Sequence, residues 1–537
     1  MGSDNKRTDV VVIGSGAAGA AVTWRLTELG AKVTCLEQGD WVKPGDYPST
    51  QPNYEVQLKR GPFHFNPNVR KRPEDYPVVT AGKHPPDIKM FNAVGGSTIH
   101  WTGHFPRFHP SDFRVKTLDG VGDDWPITYR DLEPFYDAND HGMGVAGIAG
   151  DPCNPPRKRR PTPPLPLGTL GETIARGFDK LGWYWWPSDN AIISRDFDGR
   201  PACTLHGKCM FGCPIGAKAS TDVTYWPKAL KKGAEIRTRA RVQEIVLDAQ
   251  GRARGVLYHN SKGELQEAHA RVVVICCNGV GTPRLLLNSK SRLFPDGLAN
   301  SSGLVGRNFM IHPFRFLDGI FEDRMDGWKG PFGAPAFSQH FYETDLARGF
   351  VRGFSFQLER SFGPLWESWG GAVAKPVQWG RGHHSEMKKR FGHIIRVTLI
   401  GEDLPEEHNR VELNPEVADS SGIPGPRVTY TYSENSLRMH EYARKVGTEV
   451  LKAAGAYEIH DSGVTQTAPH LMGTARMGND RKKSVVNRWH QAHDVENLFI
   501  VDGSSFVTSA GVNPTSTIGA LALRCADGIW QRRQEWM

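Results

Sequence analysis

The chain has 537 residues, a length that favours about two domains, and its 39% hydrophobic and 23% charged residues are typical of a soluble globular protein. No apolar run reaches the roughly 18 residues of a membrane span, so a membrane-spanning protein is excluded at this stage. The formal charge of +8 is dispersed, apart from Arg157 to Arg160 in a proline-rich loop, and no nucleic-acid motif accompanies it.

The first predicted element is a βαβ unit from Thr8 to Glu37. Its turn carries three glycines with the G-x-G-x-x-G spacing: Gly14, Gly16 and Gly19. These glycines let the backbone approach a pyrophosphate, and the helix predicted over Ala17 to Leu29 directs its N-terminal amides at the phosphate charge. Glu37 follows the second strand and can accept hydrogen bonds from the ribose of an adenosine. The unit therefore predicts a dinucleotide site, for either NAD or FAD.

A second glycine-rich segment, AVGGSTIHWTG, follows residues 40–90, which are predicted to be extended excursions over the surface. Gly95 and Gly96 let the backbone approach a flat or charged group, while Ser97 and His100 offer polar atoms beside it. The alternative is an ordinary glycine turn.

Regular elements appear further along the chain. A capping box at Thr128 to Asp131 predicts a helix start. Val272 to Cys276 reads as a second buried parallel strand, and it leads into a glycine turn at Asn278 to Gly281 and a helix. This piece predicts a doubly wound sheet assembled from distant parts of the chain. Alternating segments over 312–465 predict a mainly antiparallel domain, interrupted by a helix near 436–453.

Three cysteines lie close together in CTLHGKCMFGCPIGAKAS, namely Cys203, Cys209 and Cys213. Three thiolates at this spacing, with glycine and proline to bend the chain, can surround a metal ion or an iron–sulfur cluster. The alternative is three reduced thiols in a loop.

Five segments resemble the glucose-methanol-choline (GMC) oxidoreductases, flavoproteins that oxidise alcohols and sugars. They are GSGAAG with Glu37, VGGSTIHW, GRNFMIHP, HLMGTARMG, and VDGSSFVTSAGVNPTSTIGALALR at the C-terminus. Within the family the chain looks most like the large subunits of bacterial sugar and polyol dehydrogenases and like the pyranose oxidases. Residues 312–465 match only in a general way.

The resemblance implies an α/β fold with a discontinuous Rossmann-like FAD-binding domain and an antiparallel substrate domain. We expect the FAD-binding domain over 1–311, with surface excursions at 40–90 and 116–200, and again over 466–537. The substrate domain is expected over 312–465. Residues expected to contact FAD in addition to those in the two glycine segments are Val242, Asn278, Asp502, Pro514 and Thr515.

By the same resemblance, His470 matches the active-site histidine of the family and Asn513 matches its partner. An imidazole has a suitable intrinsic pKa to take the hydroxyl proton while hydride leaves the carbon for the flavin. Asn513 can orient the same hydroxyl by hydrogen bonding. Taken alone, His470 could also be a structural histidine.

Two further features of relatives concern His100 and the cysteines. Some relatives join the histidine at the position of His100 covalently to the flavin, and others do not. Sugar dehydrogenase large subunits with similar cysteine spacing hold a 3Fe-4S cluster and pass electrons to a cytochrome partner. Here a cluster would imply a dehydrogenase with a small subunit, and its absence would imply oxygen or a soluble acceptor.

The sequence therefore predicts an FAD-dependent oxidoreductase that converts a hydroxyl of a sugar, glycoside or polyol to a carbonyl. A noncatalytic flavoprotein or a lyase on the same scaffold is the alternative, and DNA binding through the basic charge is a more distant one. MGSDNKRTD lacks the apolar core of a signal peptide, so we expect a cytoplasmic protein, or a periplasmic one if a partner subunit carries the export signal.

Overall fold

The structure is a computed structural model that describes residues 8–56, 75–333, 335–371, 373 and 375–536. Residues 57–74, within the excursion predicted over 40–90, lie outside the described residues. The described part of the chain contains no helix that is both long enough and apolar enough to cross a membrane.

The strands are β1 (Thr8–Ile13), β2 (Val33–Leu36), β3 (Val79–Ala81), β4 (Asp87–Ile88), β5 (Trp186–Pro187), β6 (Glu235–Arg237), β7 (Arg241–Leu247), β8 (Ala253–His259), β9 (Leu265–Ile275), β10 (Phe314–Ile320), β11 (Ala336–Ser338), β12 (Phe354–Glu359), β13 (Ile394–Gly401), β14 (Arg410–Ala418), β15 (Pro424–Thr429), β16 (Glu458–Thr465), β17 (Thr467–Ala468) and β18 (Leu498–Ile500). The helices described in full are α1 (Ala17–Leu29), α2 (Val115–Asp119), α3 (Tyr129–Met143), α4 (Gly168–Leu181), α5 (Tyr225–Lys231), α6 (Asn278–Asn288), α7 (Pro364–Ser368), α8 (His383–Arg390), α9 (Glu434–Ala454) and α10 (Thr515–Gln531).

The first sheet joins strands that are far apart in the sequence, and its strand order is β6-β2-β1-β9-β8-β7, with β18 also paired to β9. The pairs β1–β2, β1–β9, β9–β18 and β2–β6 are parallel, whereas β7, β8 and the first half of β9 form an antiparallel meander. Helices α1 and α10 pack on each other and α3 packs on α10. The predicted doubly wound sheet built from distant pieces is therefore confirmed.

The second sheet is antiparallel, with the order β16-β10-β13-β12-β11-β5. The helix predicted near 436–453 is α9, and it packs on this sheet. The side chain of Ser433 caps its N-terminus by accepting a hydrogen bond from the Ser436 N–H, and it ends at Gly455, whose φ of 108° is left-handed. One edge strand, β5, comes from residues that the sequence assigned to a surface excursion.

The segment 405–430 lies apart from this antiparallel sheet. Strands β14 and β15 form a small sheet with β3, and both strands pack against helix α6, which follows the parallel strand β9. The domain boundaries at residues 312 and 465 stay a prediction. What the topology establishes is that the carboxyl ends of β1, β2, β9 and β18 are brought to one edge, where ligands of open α/β sheets bind.

Candidate active site

A cavity of about 780 Å³ lies between the carboxyl ends of the parallel strands and one face of the antiparallel sheet. This volume is in the range of sites for small molecules and cofactors. Thirteen of the residues that the sequence singled out line it: Gly14, Gly16, Glu37, Gly96, Ser97, His100, Val242, Asn278, His470, Asp502, Asn513, Pro514 and Thr515. The described residues that line it do not include Gly19, Gly95, Cys203, Cys209 or Cys213.

The glycine turn after β1 is packed too closely for side chains. Gly14 has a φ of 92°, and a Cβ there would lie 2.5 Å from the carbonyl oxygen of Cys276. A Cβ on Gly19 would lie 1.8 Å from the carbonyl oxygen of Gly14, so Gly19 serves helix packing rather than cavity lining. A Cβ on Gly96 would lie 2.9 Å from Cα of Gly16, so the two predicted glycine segments meet at the cavity wall.

Two helix N-termini face the cavity without side-chain caps. Gly16 precedes α1 and Pro514 precedes α10, and neither helix has a capping side-chain hydrogen bond or an acidic residue in its first turn. Their first N–H groups are therefore available to an anionic group, and the helix dipoles favour negative charge there. A pyrophosphate at α1 and an electron-rich carbonyl at α10 both fit this arrangement.

Glu37 directly follows β2, and its carboxylate is hydrogen-bonded to Ser15 of the glycine turn. One carboxylate oxygen accepts hydrogen bonds from the Ser15 N–H at 2.9 Å and from the Ser15 hydroxyl at 2.6 Å, and the other accepts from the Gly39 N–H at 2.8 Å. Burial raises the pKa of Glu37, while these hydrogen bonds lower it. The oxygen that accepts from Gly39 retains acceptor capacity, as a ribose hydroxyl would require, whereas the other oxygen already accepts two hydrogen bonds.

Asn278 follows β9 and Asp502 follows β18, and a hydrogen bond between them links the ends of the two strands. A carboxylate oxygen of Asp502 accepts from the Asn278 N–H at 3.0 Å and from the Thr282 hydroxyl at 2.7 Å. Its other oxygen accepts from the Ser504 N–H at 2.7 Å. Asn278 itself has a left-handed φ of 68°, which an asparagine tolerates. These contacts hold two turns at the cavity wall in fixed positions.

His470 is paired with a second histidine that the sequence reasoning did not assign. Its Nδ1 lies 2.7 Å from Nδ1 of His312, and Nε2 of His312 lies 2.8 Å from the carbonyl oxygen of Ala510. Burial lowers the pKa of His312 to about 4 and lowers the pKa of His470 well below its usual value, with the nearby imidazoles of His312 and His104 adding to the effect on His470. Both rings are therefore neutral near pH 7.

Asn513 is held by two side chains on other elements. Its Oδ1 lies 2.8 Å from Nδ1 of His104 and accepts a short hydrogen bond from the amide of Gln357. Burial lowers the pKa of His104 to about 4, so this ring is also neutral and its Nδ1 donates to the amide oxygen. The Nδ2 group of Asn513 is left as the donor towards the cavity, which both Asn513 and His470 line.

Comparison with known proteins identifies the family. Models described as GMC oxidoreductase match residues 167–314 and 405–522, and one described as an NAD(P)-binding Rossmann-like domain matches residues 12–76. The chain is 46% identical to 2-methyl-1,2-propanediol dehydrogenase of Mycolicibacterium austroafricanum, over 99% of this chain and 97% of that protein. It is 31% identical to the fructose dehydrogenase large subunit of Gluconobacter japonicus, over 98% and 99%.

This chain is a GMC oxidoreductase. The structure of pyridoxine 4-oxidase from Mesorbium loti matches it with a TM-score of 0.68 at 17% identity, covering 97% of this chain and 99% of that one, which shows a shared fold. The family membership makes the protein an FAD-dependent alcohol or sugar oxidoreductase. The glycine turn, the uncapped helices and Glu37 fit FAD at the cavity wall.

His100 of this GMC oxidoreductase lies in the cavity wall with its ring fixed. Its Nδ1 is 2.8 Å from the carbonyl oxygen of Met210, and the ring of Phe91 meets it edge-on with centroids 4.3 Å apart. Burial lowers the pKa of His100 to about 4. The position is compatible with either a covalent or a noncovalent flavin, so covalent attachment stays a prediction. Acid precipitation tests it, because a covalently bound flavin stays with the pellet.

The cysteine trio of this GMC oxidoreductase lies outside the cavity lining, and a cluster there stays a prediction. The thiols are directed to backbone groups instead: the sulfur of Cys203 accepts from the Leu205 N–H at 3.4 Å, that of Cys209 from the Phe332 N–H at 3.3 Å, and that of Cys213 from the Lys218 N–H at 3.5 Å. Over the described ranges, no three His, Cys, Asp or Glu side chains are arranged to hold a metal ion. Burial also raises the pKa of Cys203 to about 12.

Three residues of the GMC site were missed from the sequence: His104, Gln357 and His312. His312 lies inside the GRNFMIHP segment and His104 lies four residues after His100, so both had a local signal. Gln357 carries no motif. It is identified by its hydrogen bond to Asn513 and by its place in the cavity lining.

Proposed function

We propose that this chain oxidises a hydroxyl of a sugar, glycoside or polyol to a carbonyl, with His470 as the base and Asn513 as the orienting donor. The observation that carries the proposal is that both side chains line the cavity whose other wall holds the glycine turn. Bound FAD supplies the hydride acceptor for this reaction.

The hydrogen-bond chain through His312 supports the role of His470. A carbonyl oxygen can only accept, so the contact with Ala510 places the proton of the neutral His312 ring on Nε2. Nδ1 of His312 must then accept, and Nδ1 of His470 must donate to it. The remaining ring nitrogen of His470, Nε2, carries the lone pair, which is the form a general base needs.

The contacts of Asn513 support a complementary role. Because His104 and Gln357 both donate to its amide oxygen, the Nδ2–H₂ group is the part that can meet a ligand. A donor beside the reacting hydroxyl stabilises the negative charge that grows on that oxygen as its proton leaves. His470 removes the proton while Asn513 fixes the position of the oxygen.

The experiment is anaerobic mixing of the purified holoenzyme with a panel of sugars, glycosides, diols and polyols while the flavin absorbance is followed. Bleaching by members of the panel is the expected result. The panel includes 2-methyl-1,2-propanediol and fructose, after the relatives' names. If no alcohol bleaches the flavin, the proposal is wrong and a noncatalytic flavoprotein or a lyase is favoured.

The route by which electrons leave needs a second measurement. A cluster at Cys203, Cys209 and Cys213 is supported by the sequence spacing alone, and it would imply a small subunit and a cytochrome acceptor. Iron analysis of the purified protein, together with peroxide formation in air, separates the routes. About three irons per chain would support the cluster, and peroxide without iron would support oxygen as the acceptor.

The pH dependence of flavin reduction follows from the pKa of His470. The reaction needs the neutral ring, and burial lowers this pKa well below about 6.5, the usual value of a histidine. We therefore expect kcat/KM to stay level as the pH falls from about 8 to about 6.5 and to decline only below that point. Stopped-flow reduction across this range checks it, with flavin retention measured at each pH. An acid limb centred at or above about 6.5 would contradict it.

A further inference from the structure

One face of the antiparallel sheet forms the floor of the cavity opposite the glycine turn. Gln357 and Glu359 on β12 are two residues apart, so their side chains lie on the same face of the sheet, and both line the cavity. Gln357 donates a hydrogen bond to Asn513, so the Gln357 end of the floor lies beside the proposed catalytic residues. Glu359 lies about 7 Å further along the strand, two residues at the usual strand rise.

Glu359 belongs to a row of charged residues across three strands. Its partner on β13 is Arg396, and the partner of Arg396 on β10 is Asp318. The guanidinium of Arg396 makes two hydrogen bonds of 2.7 Å to the two oxygens of Asp318, and both side chains are buried. The guanidinium of Arg396 is bound to Asp318, so Glu359, which also accepts a hydrogen bond from Thr398, retains acceptor capacity for a ligand.

The carboxyl groups around Arg396 outnumber its single positive charge. Glu367 is a further carboxyl near Arg396, so this one guanidinium faces three carboxyl groups. Burial raises the pKa of Glu359, and the attraction of Arg396 together with a hydrogen bond from Thr398 only partly offsets that rise. A hydroxyl donor from a ligand would stabilise the ionised form.

Aromatic side chains also line this cavity. Phe314, Phe316, Phe332, Phe362 and Trp366 line the same cavity. A polar group among such walls fixes the orientation of a ligand, because an unpaired polar group in an apolar site costs free energy. The floor therefore offers two polar points, one at Asn513 and His470 and the other at Glu359 beside Arg396.

We propose that Glu359 accepts a hydrogen bond from a second hydroxyl of the substrate, which makes this chain selective for diols, polyols or sugars over monohydric alcohols. The inference rests on the proposed function, since His470 and Asn513 hold the hydroxyl that reacts. Sites that hydrogen-bond a substrate hydroxyl reject the analogue that lacks it, because the buried protein group is then left unpaired.

The test compares alcohols that differ by one hydroxyl. Anaerobic flavin reduction is measured for propan-1-ol and propane-1,2-diol, for pentan-1-ol and pentane-1,5-diol, and for 5-aminopentan-1-ol. We expect kcat/KM for at least one diol to exceed that of its monohydric partner by about 100-fold or more. In Glu359→Leu that ratio falls to within about threefold of one, and Glu359→Gln, which keeps an acceptor oxygen, retains part of it.

The matched control is Glu367→Gln, which changes a buried carboxyl near the same guanidinium at a position that does not line the cavity. It is expected to keep the wild-type ratio. Flavin content and melting temperature are measured for each variant so that a folding defect is recognised. A preference for the amino alcohol that disappears in Glu359→Leu would overturn the diol assignment in favour of a cationic substrate group.

Two other outcomes separate the inference from the proposed function. Wild-type flavin that is bleached equally by diols and monohydric alcohols, or a ratio unchanged in Glu359→Leu, would overturn the role of Glu359 and leave His470 as the base. Flavin that no alcohol of the wider panel bleaches would overturn the proposed function itself, and the inference with it.

Discussion

Replacing His470 with alanine is expected to lower the rate constant of flavin reduction by about 10²–10⁴-fold, the usual contribution of a general base. The physical reason is that His470 is the neutral imidazole on the cavity wall whose tautomer is set by His312. Asn513 can still hold the hydroxyl in this variant, so substrate affinity should change less than the rate. Anaerobic stopped-flow reduction with a saturating substrate measures the effect.

His460→Gln is the control for this prediction. His460 is a half-buried histidine on β16 that does not line the cavity, and its Nε2 lies 2.8 Å from a carboxylate oxygen of Glu458. The His460→Gln enzyme should reduce its flavin at the wild-type rate. Both variants must retain flavin for the comparison to hold. A His470→Ala enzyme that reduces its flavin within about threefold of the wild-type rate would rule out general-base catalysis by this residue.

Local signals determined how much of the fold could be predicted. Helix α1 was predicted over Ala17 to Leu29 and has those bounds, because glycines mark both its ends. The edge strand β5 could not be predicted, since two residues have no periodicity and its partner β11 begins at Ala336. The packing of β14 and β15 on α6 was missed for a different reason, because alternation predicts a strand but not which surface it covers.

The site shows the same division between local and long-range information. His470 and Asn513 could be proposed from the sequence because each lies in a motif that can be recognised along the chain, and both line the cavity. Their supporting contacts cross 158 residues to His312 and 409 residues to His104, so no sequence window contains both partners. For the cysteines, close spacing suggests a shared ligand, and the folded loop places each sulfur beside a different backbone N–H, so the cluster stays a prediction.

The second large effect is expected at Gly19, where alanine should remove the flavin and lower the free energy of unfolding by about 3 kcal/mol. The added Cβ would lie 1.8 Å from the carbonyl oxygen of Gly14 and 3.4 Å from Cβ of Cys276. The nearest obstacle is backbone, so helix α1 must move away from β1 as a whole. That movement withdraws the helix N-terminus from the position where it meets the pyrophosphate. Flavin absorbance after gel filtration and a denaturant titration measure the two effects.

Gly45→Ala isolates the steric cause. Gly45 lies in a short 3₁₀ turn, and a Cβ there would have no heavy atom within 4 Å. This variant should keep its flavin and stay within about 0.5 kcal/mol of the wild type. If Gly19→Ala bound flavin as well as Gly45→Ala does, the close contact between α1 and the turn would not be what holds the dinucleotide. Loss of flavin with little loss of stability would instead show that the helix shifts locally while the sheet beneath it still folds without its cofactor.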